Sequence, residues 1–198
     1  MSKQFIKKQL KEWGVFVAII LTLYFTGLHT DVAAFAQRVV LATGVANPNI
    51  PDNDDIKEKA SYNFSLEGLD GENLDFRSLK GKTVFINLWA TWCAPCIAEM
   101  PSIHNLYETY ADNEDLVFVM IALENDKQKV KKFIDKKEYK FPVYFPINSQ
   151  IPKVYKSQSI PTTFVLDSKG YIDYKKIGMA NYNSGSFNRY MEKLLNKD

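Results

Sequence analysis

Cysteine is nearly absent from this chain. Its 198 residues contain two, Cys93 and Cys96, both in the run Trp92-Cys93-Ala94-Pro95-Cys96. A pair this close cannot staple distant parts of a fold, so a disulfide framework is excluded. Histidine is equally scarce: His29 and His104 lie far apart in sequence, and there is no second cysteine pair. A closed zinc site, which needs four ligands, is therefore not expected. No surplus of charge exists either. Twenty-five basic and 23 acidic side chains leave a formal net charge of +2, too small to point to nucleic acid. No internal repeat or low-complexity tract is visible. What remains open to such a pair is to close a small ring and exchange it with the thiols of another protein.

Charge is also missing from Trp13 to Leu28, an apolar stretch preceded by Lys3, Lys7, Lys8 and Lys11. Sixteen helical residues rise about 24 Å, slightly short of a hydrocarbon core of about 30 Å. Trp13 and Tyr24 suit the interfaces, and bordering lysines can snorkel. The lysines favour a cytoplasmic N-terminus with the rest sent across. The expectation is an uncleaved single-pass anchor over about 13–28, with a short cytoplasmic tail before it. The alternative is secretion after signal cleavage near Ala36, where Ala34-Phe35-Ala36 has the small-x-small form. Against cleavage, Asp31 lies inside the would-be cleavage region, and Val32, Phe35, Ala36, Val39 and Val40 continue at helical spacing. That stripe suits an amphipathic helix on the membrane or a continuation of the span, so 1–43 is taken as one N-terminal unit. The absence of cysteine here excludes a lipoprotein anchor. Both alternatives put the cysteine pair outside the cytoplasm, in the periplasm or its equivalent, beside a bacterial cytoplasmic membrane.

The remaining composition, 46% hydrophobic and 24% charged, is that of a globular protein with room for one domain and an appendage. Residues 44–60 are rich in turn and disorder formers and are expected to be a linker, with the domain spanning 61–198. Tyr62–Leu66 and Asn73–Phe76 have the pattern of a hairpin around Gly68-Leu69-Asp70-Gly71. Thr83–Trp89 and Leu116–Leu123 are apolar runs suited to strands buried on both faces. Helices are expected over 94–111, 126–138 and 184–196, an extended piece at 141–145, and a helical turn over Ile151–Lys156. Thr162–Asp167 and Tyr171–Lys176 flank a Ser168-Lys169-Gly170 turn. The lysines from Lys127 to Lys140 are read as a solvated helix face, because Val130, Phe133 and Ile134 recur at helical spacing among them. The fold class is α/β: a central mixed sheet with helices on its faces.

Placed between a strand and a helix, Cys93 gains from the unpaired amides and partial positive charge of the helix start, which favour a thiolate. It is expected to be the exposed attacker and Cys96, one turn on, the buried resolving thiol. Pro95 suits the first turn because it has no N–H to leave unsatisfied. Ile160-Pro161 stands immediately before a strand, where by itself the proline reads as an ordinary strand-edge residue; in the cis form it would offer a backbone edge to a partner. Glu99 lies on the same helical face as Cys96 and is a candidate proton acceptor, or else a surface residue. Trp92 is expected over the disulfide, and His104 on the helix surface.

These motifs resemble the thioredoxin fold and, more closely, the TlpA/ResA-like family of membrane-anchored thiol-disulfide oxidoreductases. The matching stretches are Ser61–Phe76, Val84–Cys96, Glu99-Met100-Pro101 and Ser159–Thr163, and the similarity covers roughly 61–196. The resemblance implies Cys93 as nucleophile, Cys96 as resolving thiol, Glu99 as active-site glutamate, Pro161 as the cis-proline and Pro101 as the proline that kinks the active-site helix. Trp92, Pro95, Ile160 and Pro161 are the expected substrate contacts. Asn87 departs from thioredoxin, whose buried aspartate would stand there. The implied function is reduction of protein disulfides, including apocytochrome c, with electrons from a membrane thiol carrier and no cofactor. A redoxin-type thiol peroxidase and a non-catalytic binding or holdase module are the alternatives.

Overall fold

Strand β3 shows how burial selects the architecture. Thr83–Trp89 has no charge, glycine or proline, and in the computed structural model of the chain all seven of its residues are buried. A strand buried on both faces needs neighbours at both edges and layers above and below. The structure describes residues 28–42 and 58–196, with shorter pieces at 9, 12–15, 17–18, 21–22 and 48. Its elements run α1 (Leu28–Ala42), β1 (Ser65–Gly68), β2 (Asn73–Asp75), β3 (Thr83–Trp89), α2 (Ala94–Thr109), β4 (Leu116–Ala122), α3 (Lys127–Lys137), β5 (Val143–Pro146), β6 (Thr162–Leu166), β7 (Ile172–Ile177) and α4 (Gly185–Leu195).

The strands form one mixed sheet in the order β2-β1-β5-β4-β3-β6-β7. β3, β4 and β5 are parallel, and their crossovers are α2 and α3. β6 returns antiparallel to β3, and β1 antiparallel to β5. Side chains alternate along β3. Phe85 and Trp89 join a core that includes Met100, Ile103 and Leu106 of α2, Val130 and Ile134 of α3, and Phe187 and Met191 of α4. Val84, Ile86 and Leu88 join a second core with Phe76, Tyr155 and Phe164. The three helices α2 to α4 thus cover one face. Residues 60–79 and Tyr155 cover the other, where helices were also expected. By the same alternation Asn87 points toward the α2 side, and it is fully buried.

The expected first hairpin is present but shorter. Ser65 pairs with Asp75 and Glu67 with Asn73. Tyr62 and Phe64 lie outside the strand and lay their rings on Phe76, at 5.7 and 4.3 Å between centroids. Sheet-like bonding reaches into the stretch read as linker: Ala60 N–H donates to Gly170 O at 2.9 Å, and Ile172 N–H to Glu58 O at 2.8 Å. Tyr155 hydroxyl donates to Ser61 O at 3.0 Å and accepts from Ser61 N–H at 3.1 Å.

Helix α1 packs on α2. Ala34 and Leu41 are buried against Ile97 and Ala98, and Arg38 Nη2 donates to Ile97 O at 3.4 Å. The bond has a cause in the sequence. Pro101 has no N–H, so the Ile97 carbonyl four residues earlier loses its intrahelical donor. The apolar residues singled out from sequence face away from this contact: Val32 is 54%, Phe35 67% and Val39 55% exposed. Ala36, the proposed cleavage point, lies in mid-helix. Among the described residues no helix is long and apolar enough to cross a membrane. Half of the expected anchor over 13–28 falls outside the described residues, as do most of the tail and of 44–57.

Candidate active site

The reactive pair sits where β3 ends and α2 begins. Cys93 is the N-cap of α2, in extended conformation, and its Sγ accepts a hydrogen bond from Cys96 N–H at 3.3 Å. Ala94 and Pro95 open the helix, where a missing N–H costs nothing. Cys93 and Cys96 are joined as a disulfide. Cys93 is 5% exposed and Cys96 fully buried. The order of burial is as expected from sequence, but in this oxidised state Cys93 shows only a sliver of surface. Beside it Trp92 is 57% exposed, so it flanks the disulfide as an open apolar surface and does not close over it.

Across from the pair lies the Ile160–Pro161 loop before β6. The peptide bond is cis, and Ile160 O stands 3.7 Å from Cys93 Sγ. Ile160 is half-buried and Pro161 buried. Pro161 O accepts from Gly178 N–H at 2.9 Å. Gly178 has a φ of +88°, a backbone that a side chain disfavours. The loop after β7 therefore braces the proline loop from behind.

One turn further along α2 is a fully buried carboxyl group. Glu99 is 0% exposed, which removes the alternative of a surface helix residue. Its Oε1 accepts from Asn87 Nδ2 at 2.8 Å, and its Oε2 from Ala180 N–H at 3.0 Å. Burial pushes its pKa up to about 8, against the two donors, which favour the charged form. Asn87 Nδ2 also donates to Thr163 Oγ1 at 2.9 Å. Burial raises the hydroxyls of Tyr174 and Tyr182, and the nearby Glu99 charge adds to the effect. Glu99 and Cys96 share the inward side of α2 one turn apart, with about 5–6 Å between Cβ atoms.

His104 departs from expectation. Its ring packs half-buried against Tyr139 and Phe141, at 5.3 and 6.0 Å between centroids, with Nε2 3.6 Å from Glu108. The helix surface at that position is covered by the α3–β5 connection, and His104 lies away from the disulfide's partners.

Glu124 was not singled out from sequence. It follows β4 and holds the approach to the cysteines: its carboxylate accepts from Thr91 N–H at 2.5 Å and from Thr91 Oγ1 at 2.9 Å. The signal was its position just past the end of a buried strand parallel to β3, since the ends of neighbouring parallel strands lie side by side. A cleft of about 490 Å³ opens next to it, lined in part by Leu123, Lys127, Phe145 and Asn148. The loop Gly178–Tyr182 was also missed, having no side-chain signature: it acts through the N–H groups of Gly178 and Ala180. No cluster of metal-ligating side chains occurs among the described residues.

A strand-end pair of cysteines capping a helix, a facing proline loop and a buried glutamate together form a dithiol–disulfide exchange site. Comparison with known proteins agrees. A family profile described as Redoxin matches residues 53–192. Thioredoxin-like protein YneN of Bacillus subtilis is 32% identical over 170 residues, covering 85% of this chain and 91% of the relative. Thiol-disulfide oxidoreductase ResA of Bacillus cereus is 37% identical over 122 residues, 61% of this chain and 69% of the relative. Among solved structures, a thiol:disulfide interchange protein from Chlorobium tepidum superposes with a TM-score of 0.61 at 29% identity, covering 72% of this chain and 99% of that one. StoA from Bacillus subtilis superposes with a TM-score of 0.54 at 27% identity, covering 65% and 93%.

Proposed function

Because this chain belongs to the redoxin family and is a TlpA/ResA-like thiol-disulfide oxidoreductase of the thioredoxin superfamily, we propose that it reduces protein disulfides on the outer side of a bacterial cytoplasmic membrane. The observation that carries this is Cys93 at the N-cap of α2 with Ile160 O at 3.7 Å, Cys96 buried behind it and Glu99 deeper still. In the reduced protein the helix start favours the Cys93 thiolate. The thiolate attacks one sulfur of the partner's disulfide, and the partner's other sulfur leaves as a thiolate that takes a proton from water. Cys96 then gives its proton to the ionised form of Glu99 and attacks Cys93 Sγ. The partner's second sulfur leaves as a thiolate that takes a proton from water, so the partner departs as a dithiol, and this protein is left as the Cys93–Cys96 disulfide with the Cys96 proton on Glu99. Two electrons have passed to the partner, so a dithiol donor has to restore the pair, and a membrane thiol carrier is the proposed source. Trp92, Pro95, Ile160 and Pro161 border the sulfur and are the proposed partner contacts.

Membrane attachment through 13–28 rests on the uncharged apolar run and the lysines before it, with signal cleavage near Ala36 as the alternative. Apocytochrome c is the proposed partner by likeness to the family. Trapping tests the division of labour. Cys96→Ser in the full chain should accumulate mixed disulfides through Cys93 with extracytoplasmic proteins, identifiable by mass spectrometry after non-reducing separation. Cys93→Ser should trap none. Equal trapping by the two variants would overturn the assignment of attacker and resolver.

A further inference from the structure

Helix α1 has two distinct faces, one against the domain and one exposed. Ala34, Arg38 and Leu41 recur at helical spacing and meet α2. Val32, Phe35 and Val39 recur on the far side and are 54%, 67% and 55% exposed. At 100° per residue the two sets are centred about 125° apart around the helix. A soluble helix normally does the reverse, with its apolar stripe toward the protein. Among the described residues this stripe is left largely uncovered.

We propose that this stripe lies in the surface of an anionic bilayer while the face that bears Ala34, Arg38 and Leu41 holds α2, so that α1 fixes the active site at the membrane. Two further observations select lipid as the occupant. The chain immediately before α1 is the uncharged apolar run 13–28, and whatever membrane that run enters is at hand where α1 starts. Phe133 of α3 packs against the α1–α2 cluster, which brings α3 alongside, and Lys132 and Lys136, one turn apart on α3, are exposed. An exposed apolar stripe on one helix, with exposed lysines on a helix packed against the same cluster, suits the boundary between acyl chains and acidic headgroups. Packed helices have axes about 8–10 Å apart, so α2 would lie one helix diameter from α1 and close to the bilayer surface. Disulfides carried close to the same membrane are then the class of substrate within reach.

This proposal rests in part on the membrane attachment argued above, and the experiment separates the two. The full chain with Phe35→p-benzoylphenylalanine is mixed with vesicles of phosphatidylglycerol and phosphatidylcholine and irradiated. A second variant carries the cross-linker at Glu72, on the exposed turn between β1 and β2. Lipid adducts at position 35 should exceed those at 72 several-fold, and fall several-fold in vesicles of phosphatidylcholine alone. An adduct with a second copy of the chain, a yield no greater than at 72, or indifference to acidic lipid would overturn the proposal. Carbonate extraction of the same vesicles reports on 13–28 alone. A chain that washes off has lost the anchor reading, and the cross-linking ratio at neutral pH still decides the stripe.

Discussion

Glu99 concentrates the chemistry of this site in one side chain. A carboxyl group with no exposure and a pKa of about 8 is mostly protonated near neutrality and ionises within the range where thiols do. The stability consequence has a definite sign. The folded pKa lies above the unfolded one, so the penalty for charging the buried group is absent below about pH 4.3, grows as pH rises, and is complete above about pH 8. Glu99→Gln removes that titration. Urea denaturation of the oxidised proteins should show the wild type losing stability relative to the variant between about pH 5 and 8, by at most about 1.4 kcal/mol per pH unit. A constant offset from the amide's mismatch with Asn87 or Ala180 does not alter the slope, and parallel curves would contradict burial as the cause. In kinetics, resolution of the mixed disulfide by Cys96 should slow and lose its rise toward pH 8 in the variant, while the first attack by Cys93 is largely kept.

The same helix carries a second device at the scale of elements. Pro101 leaves Ile97 O without its intrahelical donor, and Arg38 of α1 supplies one at 3.4 Å. Helix α1 is thus attached by a hydrogen bond that exists because α2 is interrupted, along with the burial of Ala34 and Leu41. A double-mutant cycle tests the coupling. Arg38→Ala should destabilise the wild type by about 1 kcal/mol or more, because it strands a carbonyl. In Pro101→Ala, where residue 101 regains its N–H, the same change should cost about 0.5 kcal/mol less. Equal costs in both backgrounds, measured by urea denaturation, would show that Arg38 acts elsewhere. Glu124 works on the same scale from the other side, tying the end of β4 to Thr91 so that the turn into Cys93 is held by its neighbouring strand.

For the whole molecule the decisive quantity is the balance between its dithiol and disulfide forms, since a reduction potential measures the free-energy difference between two folded states. The reducing role requires a potential near thioredoxin's, about −270 mV, and not near DsbA's, about −120 mV. Equilibration of the full chain with glutathione or dithiothreitol buffers, read by thiol alkylation, should place it toward the lower value. A midpoint near −120 mV would make the protein an oxidant. At this scale the sheet also explains how the parts of the site are held together. Three loops from distant parts of the chain meet at it, after β3, before β6 and after β7. Each is pinned by backbone or carboxylate hydrogen bonds from a neighbour: Glu124 to Thr91, Gly178 to Pro161, and Ala180 to Glu99. Such a frame positions Cys93 before a partner arrives.

Local chemistry was enough to read much of this protein. The Cys93–Cys96 spacing, Pro95 at the helix start and the apolar runs of β3 and β4 are properties of short segments, and periodicity or turn residues reveal them without knowledge of the fold. Hence the strand Thr83–Trp89 and the helix from Ala94 were legible as they stand. Tertiary structure decided what depends on surroundings. Glu99 sits three residues from Cys96 in any helix, but only the packing of Asn87, Ala180, Tyr174 and Tyr182 around it removes water and raises its pKa. His104 reads as a surface residue until Tyr139 and Phe141 cover it. The stripe Val32, Phe35, Val39 was visible as a pattern, yet its direction was not. A helical period says which residues share a face, and only the partner on the other side, here Ile97 and Ala98 of the active-site helix, says where that face points.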